Sequence, residues 1–425
     1  MTGQTDHNPI GNPAPGPART GGAFSPFRSP VFRAIWIANL CSNVGSSLQS
    51  VGAAWLMTEL TDSNQLIALV QASVTLPVML FGVFAGAMAD NFDRRRVMLA
   101  AQVGMLVTSA ALTALTYADL ISPFLLLAFT LTVGAGMALN APSWQASVRR
   151  TVEPQELQQA IALSAASVHT ARTAGPALGG LIISIWDPSL AFLINTVSYL
   201  ALIGVLLWWR PEARVVERRP ILESIAVGLR YSARSSPIRR ILVRAAAIGI
   251  GMAGFPALLP VIVSDLFKGG ELDFGILLGV FGLGSIVIVP FVRRIRRRLR
   301  FEGMLAATAV IFAITLSVVA EVHSVGVAAP FAFIAGMGWV AVVISLNTAI
   351  QLRSPDEILG RCLSIYHAST FGGLAMGSWC WGAVADLGGL PLALHAASAY
   401  LIVSSVVLWR LVPLPGPGEG VIALS

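Results

Sequence analysis

His169 and Arg172 are the two side chains of this sequence best suited to charge chemistry inside an otherwise apolar segment. They stand one helical turn apart in the stretch ASVHTARTAGPALGG, which the apolar run LII continues. Histidine can bind and release a proton near neutral pH, whereas arginine keeps its charge and can attract an anion or donate hydrogen bonds. The pair therefore predicts a proton-coupling or anion-attracting site. The equally weighted alternative is that Arg172 only bonds to carbonyl or polar groups of a neighbouring helix.

The same stretch contains a Gly-Pro motif, formed by Gly175, Pro176, Gly179 and Gly180. Proline removes one backbone hydrogen bond from a helix and permits a kink, and glycine lets the backbone of another helix come close. The motif predicts either a helix contact that opens and closes or permanent tight packing.

The composition indicates that these residues lie in a membrane protein. The chain has 425 residues, of which 55% are apolar and 12% are charged, and its mean hydropathy is +0.75. Soluble domains carry about twice that share of charged residues. The net charge of +7 does not indicate nucleic-acid binding, because the arginines lie in short clusters between apolar runs. The three cysteines form neither a disulfide framework nor a metal-binding pattern, and no metal or other cofactor is expected.

Apolar runs of about 20 residues recur along almost the whole chain, which predicts an all-α membrane protein with twelve transmembrane helices in two six-helix halves. The spans are expected near 32–57, 65–89, 97–116, 123–146, 157–185, 189–209, 240–266, 273–292, 302–321, 325–350, 358–385 and 390–411. The predicted organisation is a flexible tail (1–30), an N-terminal half (31–209), a linker with an amphipathic helix (210–239), a C-terminal half (240–412) and a second tail (413–425).

The arginine clusters predict the orientation of these spans. Nearly all arginines fall in the N-terminal tail, in every second connection between spans and at the C-terminal end. The only lysine or arginine in the other connections is Lys268. Because basic residues stay on the cytoplasmic side, both termini are expected in the cytoplasm and the protein in the inner (plasma) membrane. Within the linker, apolar residues at helical spacing over 221–229 predict an amphipathic helix on the inner leaflet, or else a solvated connector.

Polar residues inside the predicted spans outline a candidate cavity. They are unfavourable in lipid and should point inward, although any one of them could instead bond to a neighbouring helix. The candidates are Asn39, Asn43, Gln71, Asn140, Asn195, Trp339, Asn347, Tyr366 and His367. This mixed polar and aromatic set suits an amphiphilic organic molecule better than a bare ion. No carboxylate lies clearly at mid-membrane, so the candidate proton carriers are His169, Glu59 and Asp265.

The pattern Gly-Ala-x-Ala-Asp occurs twice, at 86–90 and at 382–386, each time at the C-terminal end of a predicted span. In the predicted topology the two copies lie on opposite sides of the membrane, as inverted-topology repeats would place them. Asp90 is followed by Arg94 and Arg95, and charged contacts of these residues could lock one conformation. The alternative is that the arginines only anchor the loop on the cytoplasmic side.

The stretch GAMADNFDRRR resembles motif A of the major facilitator superfamily, and ARTAGPALGG resembles the Gly-Pro motif C of its exporters. Further stretches, among them GRCLSIYHASTFGGLAMGSWCWGAVADLGG, are similar to the branch called transmembrane secretion effectors, which includes enterobactin exporters. The resemblance implies the major facilitator fold, alternating access and a conformational gate formed by Gly86, Asp90, Arg94 and Arg95. It also implies proton antiport and a chain that works as a monomer in the lipid bilayer.

Residues and resemblance together predict a secondary transporter that exports a small organic molecule, such as a siderophore, drug or metabolite, in exchange for protons. Two alternatives stay open: a facilitator or importer of a small solute, and a sensor with a transporter fold that binds its ligand without moving it. An enzyme is not expected, because the sequence contains no HExxH, GxSxG or GxxxxGK[ST] motif.

Overall fold

The computed structural model describes residues 22–209, 221–355 and 358–414. Within them the chain forms fourteen α-helices and no β-strand. The helices are α1 (Pro30–Leu60), α2 (Asn64–Asn91), α3 (Arg94–Tyr117), α4 (Pro123–Val148), α5 (Leu157–Ile185), α6 (Pro188–Trp208), α7 (Ile221–Arg234), α8 (Ser236–Met252), α9 (Gly254–Val261), α10 (Glu271–Val287), α11 (Val289–Glu321), α12 (Val325–Gln351), α13 (Leu359–Gly388) and α14 (Leu390–Leu411).

Short polar residues set the start of many of these helices. Side chains of Ser29, Ser63, Asp93, Ser122 and Asp187 accept a backbone N–H of the turn that follows, at the starts of α1, α2, α3, α4 and α6. Proline occupies the first position of α1, α4 and α6, where its missing N–H removes no helical hydrogen bond. Because these signals are local, the six predicted spans of the N-terminal half begin within a few residues of the helices α1 to α6.

Eight helical segments of the described chain are long and apolar enough to cross a membrane. They are Asn64–Gly82, Arg94–Tyr117, Pro123–Val148, Pro188–Trp208, Ser236–Leu266, Val289–Glu321, Val325–Gln351 and Leu390–Leu411. The other long helices are α1, α5 and α13, which carry many small and polar residues, and α10, which has 17 residues. These four helices contact the opposite half of the molecule or line the cavity described below, where polar residues face protein or water rather than lipid.

The N-terminal half, α1 to α6, is held together by packing of α1 against α5 and α6, α2 against α4, and α3 against α4 and α6. Hydrogen bonds join its helices at one end. The Ser29 hydroxyl donates to the carbonyl of Thr151 at 2.6 Å, and the Trp36 indole donates to the carbonyl of Leu163 at 2.9 Å. Since this end also carries the segments 94–96 and 149–150, we call it the arginine-rich end.

The C-terminal half, α8 to α14, packs α8 against α13, α10 against α12, and α11 against α12 and α14. Arg244 of α8 is 3% exposed and forms an ion pair with Glu302 of α11. Glu302 also accepts the backbone N–H of Leu414. The first residues of the predicted C-terminal tail are therefore attached to the bundle, and residues 415–425 lie outside the described chain.

The predicted span 240–266 is a broken helix in the structure. The chain leaves regular α-helix at Ala253, resumes as α9 and ends in a π-helical turn over Ile262–Leu266. Pro256 explains the break, because it has no N–H to donate to the carbonyl of Met252. The prediction placed the span correctly along the chain but missed its bend.

The arginine-rich connection between the predicted spans 273–292 and 302–321 is helical, which the sequence interpretation did not anticipate. The helix α11 begins at Val289 and continues through the arginines, and its direction changes at Arg300, whose φ is 58° and ψ is −177°. Arginine is a good helix former, and the segment 291–299 contains neither glycine nor proline that would end a helix.

The linker contains α7, and residues 210–220 lie outside the described chain. The helix α7 contacts α2, α8 and α13. At Gly228 a β-carbon would lie 2.9 Å from the Cβ of Arg361 on α13, so this helix is seated directly on protein. Its position on the inner leaflet stays a prediction.

Candidate functional site

Two helix pairs provide the most extensive contacts between the halves, α2 with α13 and α5 with α10. The backbones of the second pair touch each other. A β-carbon at Gly180 of α5 would lie 2.6 Å from the carbonyl oxygen of Glu271 and 2.8 Å from the Cα of Gly275 on α10. A β-carbon at Gly382 of α13 would lie 2.7 Å from the Cα of Gln65 on α2. Only glycine permits approaches this close.

Asp386 adds a polar contact beside this packing. Its carboxylate accepts the backbone N–H of Asn64 at 2.6 Å, the hydroxyl of Ser63 at 2.8 Å and the backbone N–H of Gln65 at 3.2 Å. It therefore caps α2 from the other half. Trp55 and Phe274 also meet across the halves here, with ring centroids 6.0 Å apart. We call this end, opposite to the arginine-rich end, the closed end.

Toward the arginine-rich end the halves separate. One stripe of α5 shows the change, because residues spaced by three or four positions lie on the same helix face. Ile161, Ala165 and Arg172 are exposed on this stripe, whereas Gly179 and Ile183 are buried. A second exposed stripe of α5, which includes Ala174 and Leu178, lies on the opposite face of the helix. The bundle therefore contains a central cavity that opens at the arginine-rich end and stops at the closed end.

Arg172 lies on the wall of this cavity. It stands in the middle of α5, between the contact of Gly175 with α1 and that of Thr173 with α10, and its side chain is exposed there, so it faces the interior of the bundle. Among the described residues it makes no hydrogen bond and no ion pair. His169 is half-buried one turn away, close enough for its charge to interact with that of Arg172. The structure thus brings the two candidate coupling residues together.

The helix α1 provides the neighbouring wall. It runs parallel to α5, since Gly175 packs on Ser47 and Gly179 packs on Val51. This register places Asn43 at the level of Arg172. The Nδ2 atom of Asn43 is buried and has no hydrogen-bond partner in the described chain.

Nearer the closed end, α1, α2, α9 and α10 line a small pocket of about 40 Å³. Its polar lining consists of Ser50 and Gln71, so the structure places Gln71 on a cavity wall as the sequence suggested. The C-terminal half contributes Pro256, Phe274 and Leu278. The polar side chains thus come from one half and the apolar and aromatic surface from the other.

Other candidate cavity residues occupy varied positions. His367 lies partly buried between Tyr366 and Phe371, with ring centroids 5.1 and 6.2 Å apart. The Tyr366 hydroxyl donates to the carbonyl of Val343 at 3.2 Å, and that side chain is 1% exposed. Asn347 accepts a hydrogen bond from the side-chain amide of Gln351. Trp339 packs against the apolar core, and the buried Oδ1 of Asn140 has no hydrogen-bond partner in the described chain.

Asn195 lies behind the cavity wall rather than on it. It is fully buried, and its amide donates to Gln49 Oε1 at 2.6 Å and to the Tyr199 hydroxyl at 2.9 Å. Ser109 also donates to Gln49, at 2.7 Å. This network joins α1, α3 and α6 inside the N-terminal half. Asn39 is buried as well, at 6% exposure. The sequence interpretation missed Gln49 and Ser109, although both interrupt apolar spans.

The predicted gate lies at the arginine-rich end. Arg94 donates to the carbonyl of Ala146 at 2.9 Å, and Arg95 donates to the carbonyl of Leu206 at 2.6 Å. Both arginines thus bind the last carbonyls of α4 and α6. The surroundings of Gly86 and of the Asp90 side chain lie outside the described part of the structure. In the Gly-Pro motif, the carbonyl of Pro176 lies at the contact with Gly275, next to Gly180.

The chain is similar to one protein family and to several named transporters. Residues 21–419 match the model of the transmembrane secretion effector family. The chain is 27% identical to the enterobactin exporter EntS of Shigella flexneri over 408 residues, which cover 91% of this chain and 92% of that protein. It is 22% identical to the staphyloferrin A transporter of Staphylococcus aureus over 275 residues, which cover 64% and 69% of the two chains.

Solved structures with the same fold include the nucleoside transporter NupG, with a TM-score of 0.73 and 12% identity over 90% of this chain and 99% of that one. A bacterial homologue of the lysosomal transporter Spinster, in an inward-facing and occupied conformation, gives a TM-score of 0.72 and 13% identity over 93% and 99% of the chains. The chain therefore belongs to the transmembrane secretion effector family of the major facilitator superfamily, and it is a multi-pass membrane transporter rather than an enzyme.

Proposed function

We propose that this protein exports a small organic molecule by alternating access, in exchange for protons, and that the described state is the one open to the cytoplasm. One observation carries the proposal: the two halves touch at the backbone level at one end and enclose an open cavity at the other. Glycine contacts and the Asp386 cap involve no covalent link, so they can separate while a matching contact forms at the opposite end.

The membrane topology of the proposal has twelve spans. The helices α1 to α6 provide six, and α8 to α14 provide six when α8 and α9 count as one bent span. The helix α7 then lies at the cytoplasmic surface. The arginine-rich end faces the cytoplasm together with both termini, in keeping with the positive-inside rule, and the protein resides in the plasma membrane as a monomer.

The relatives support the proposed direction and the proposed class of substrate. The match with the enterobactin exporter EntS covers 92% of that protein and supports export of a siderophore-like or other small organic molecule. His169 is the proposed proton carrier in the cavity, because histidine is the side-chain type best suited to bind and release a proton under physiological conditions. In the opposite state Asp90, Arg94 and Arg95 form the proposed gate, and the Gly-Pro motif on α5 supplies the movable contact.

The test is transport in inside-out vesicles that contain a pH-sensitive dye, screened with siderophores and hydrophobic drugs. Alkalinisation of the lumen on addition of one compound, together with its uptake, would support proton-coupled export. Uptake of labelled compound without a proton signal would leave a facilitator. Saturable binding without uptake, by protein that is folded in the same vesicles, would leave a sensor and refute the transport function.

A further inference from the structure

We propose that Arg172 forms an anion-binding site in the central cavity, so that the molecule recognised there is an organic anion with a carboxylate head and an apolar or aromatic body. The inference deepens the transport function proposed above and rests on it, because it names the class of substrate.

The charge of the cavity is the first reason. Arg172 is exposed to the cavity near the middle of α5, and none of the described residues neutralises it. The acidic side chains that the structure describes lie at helix ends, in loops or, for Glu302, beside the break in α11. A permanent cation on the wall of a cavity with low-dielectric surroundings attracts anions into that cavity. Its neighbour His169 adds no negative charge.

The hydrogen-bonding chemistry is the second reason. Arginine offers five N–H donors in a planar fork that matches a carboxylate. A side chain that presents only donors requires a ligand that presents acceptors, and a carboxylate supplies acceptors together with the missing charge.

The pocket nearer the closed end indicates the body of the ligand. The C-terminal half lines this pocket with Pro256, Phe274 and Leu278. These surfaces are apolar or aromatic, so a bare inorganic anion would leave them without contact. An anion with a hydrophobic or aromatic body fits both walls.

The position of Arg172 also couples the ligand to the movement. A β-carbon at Gly282 of α10 would lie 2.9 Å from the carbonyl oxygen of Arg172, so the backbone of this residue takes part in the contact of α5 with α10 while its side chain is exposed. An anion on Arg172 therefore sits at the boundary between the open cavity and the closed end. A ligand at such a boundary is contacted differently in the two states, which is what a transported substrate requires.

The experiment measures binding by the purified full-length protein in nanodiscs, with two fluorescent probes, dansylglycine and dansylglycinamide. They have the same body and differ by one negative charge. We expect the acid to bind about tenfold more tightly than the amide, and Arg172→Gln to remove this preference. Arg172→Lys should retain part of it, because lysine keeps the charge but not the planar fork of donors.

Arg150→Gln is the matched control, since it removes an exposed arginine outside the cavity and should change nothing. If an Arg172 variant does not fold, competition on the unmodified protein decides: benzoate should displace dansylglycine at concentrations at which benzamide does not. Equal binding of the two probes, an unchanged preference in Arg172→Gln, or no binding of the acid at millimolar concentration would each overturn the proposal.

The binding result is independent of the vesicle assay. An anion preference that depends on Arg172 in a protein that moves nothing would leave the site standing and remove the transport function. Transport of neutral or cationic compounds with no anion preference would support the transport function and remove the anion site.

Discussion

The carboxylate of Asp386 accepts the backbone N–H of Asn64 at 2.6 Å and thereby caps a helix that belongs to the other half of the molecule. The first turn of α2 thus has one of its hydrogen-bond acceptors on α13, and this acceptor is lost whenever the closed end opens. A cap of this kind contributes about 1 kcal/mol, and the charge of the carboxylate at a helix N-terminus adds to it.

Replacing Asp386 should therefore open the closed end. For Asp386→Ala we expect the open fraction to rise about fivefold, from the loss of about 1 kcal/mol. Spin labels at the exposed positions Trp186 and Leu272, one on each half, would report the distance between the halves by electron–electron resonance. Asp62→Ala is the control, because Asp62 is exposed in the loop before α2 and makes none of these bonds. An unchanged distance distribution in Asp386→Ala would show that the cap does not stabilise this state.

A side chain at Gly180 should prevent closure. Valine there would collide with the backbone of α10, because even a β-carbon would lie 2.6 Å from the Glu271 carbonyl oxygen. We expect Gly180→Val to reduce transport by more than about tenfold while the protein stays folded, since backbone atoms cannot move aside cheaply. Gly204→Val on α6 is the matched control, with nothing within 4 Å of the added carbon. Normal transport by Gly180→Val would contradict a movable contact at this position.

The closed end should respond to external pH through Glu59, which lies just beyond the predicted span 32–57. Partial burial, and then the negative charges of Glu271 and Asp187, raise the pKa of Glu59 above its ordinary value. Glu271 belongs to the other half, so opening removes its charge and lowers that pKa again. The closed state thus favours the protonated carboxyl, and protonation favours the closed state.

We therefore expect the closed fraction to be largest at low pH and to fall as the pH rises through the raised pKa of Glu59. The distance between labels at Trp186 and Leu272, followed across pH, would measure this. Glu59→Gln should stay closed at all these pH values, whereas Glu321→Gln, at an exposed acid on α11, should keep the normal response. A pH response that survives in Glu59→Gln would assign the effect to another group.

The buried pair Arg244 and Glu302 should matter for stability rather than for transport. Glu302→Gln would leave Arg244, at 3% exposure, without its counter-charge and would weaken the attachment of Leu414. Breaking a buried pair in this way costs roughly 3–5 kcal/mol, so the melting temperature in detergent should fall clearly. Glu321→Gln breaks the exposed pair with His395 and should change the melting temperature little. Equal effects of the two variants would contradict the role of burial.

The sequence predicted the helices well because their signals are local. A cap such as Ser63, a proline such as Pro188 and an apolar run each act within a few residues. What the sequence could not provide is the partner of a polar side chain. The sequence cannot show whether Asn195 faces a cavity or bonds to Gln49. The outcome depends on how α1, α3 and α6 are rotated against each other in the fold. The helical course of the arginine segment before Arg300 was missed for a different reason: charge was taken as a sign of a loop, although arginine favours helix.

The repeated Gly-Ala-x-Ala-Asp pattern has a consequence for the energetics of the whole cycle. A transporter works only if its two states differ little in free energy, because a deep minimum on either side would trap it. If Asp90 performs at the cytoplasmic side what Asp386 performs at the closed end, both states are fastened by the same chemistry. A rise in temperature or ionic strength would then weaken the contacts of both aspartates together. The free-energy difference between the two states would stay nearly constant. Duplication of one short motif is thus a simple way to keep a two-state machine balanced while its surroundings change.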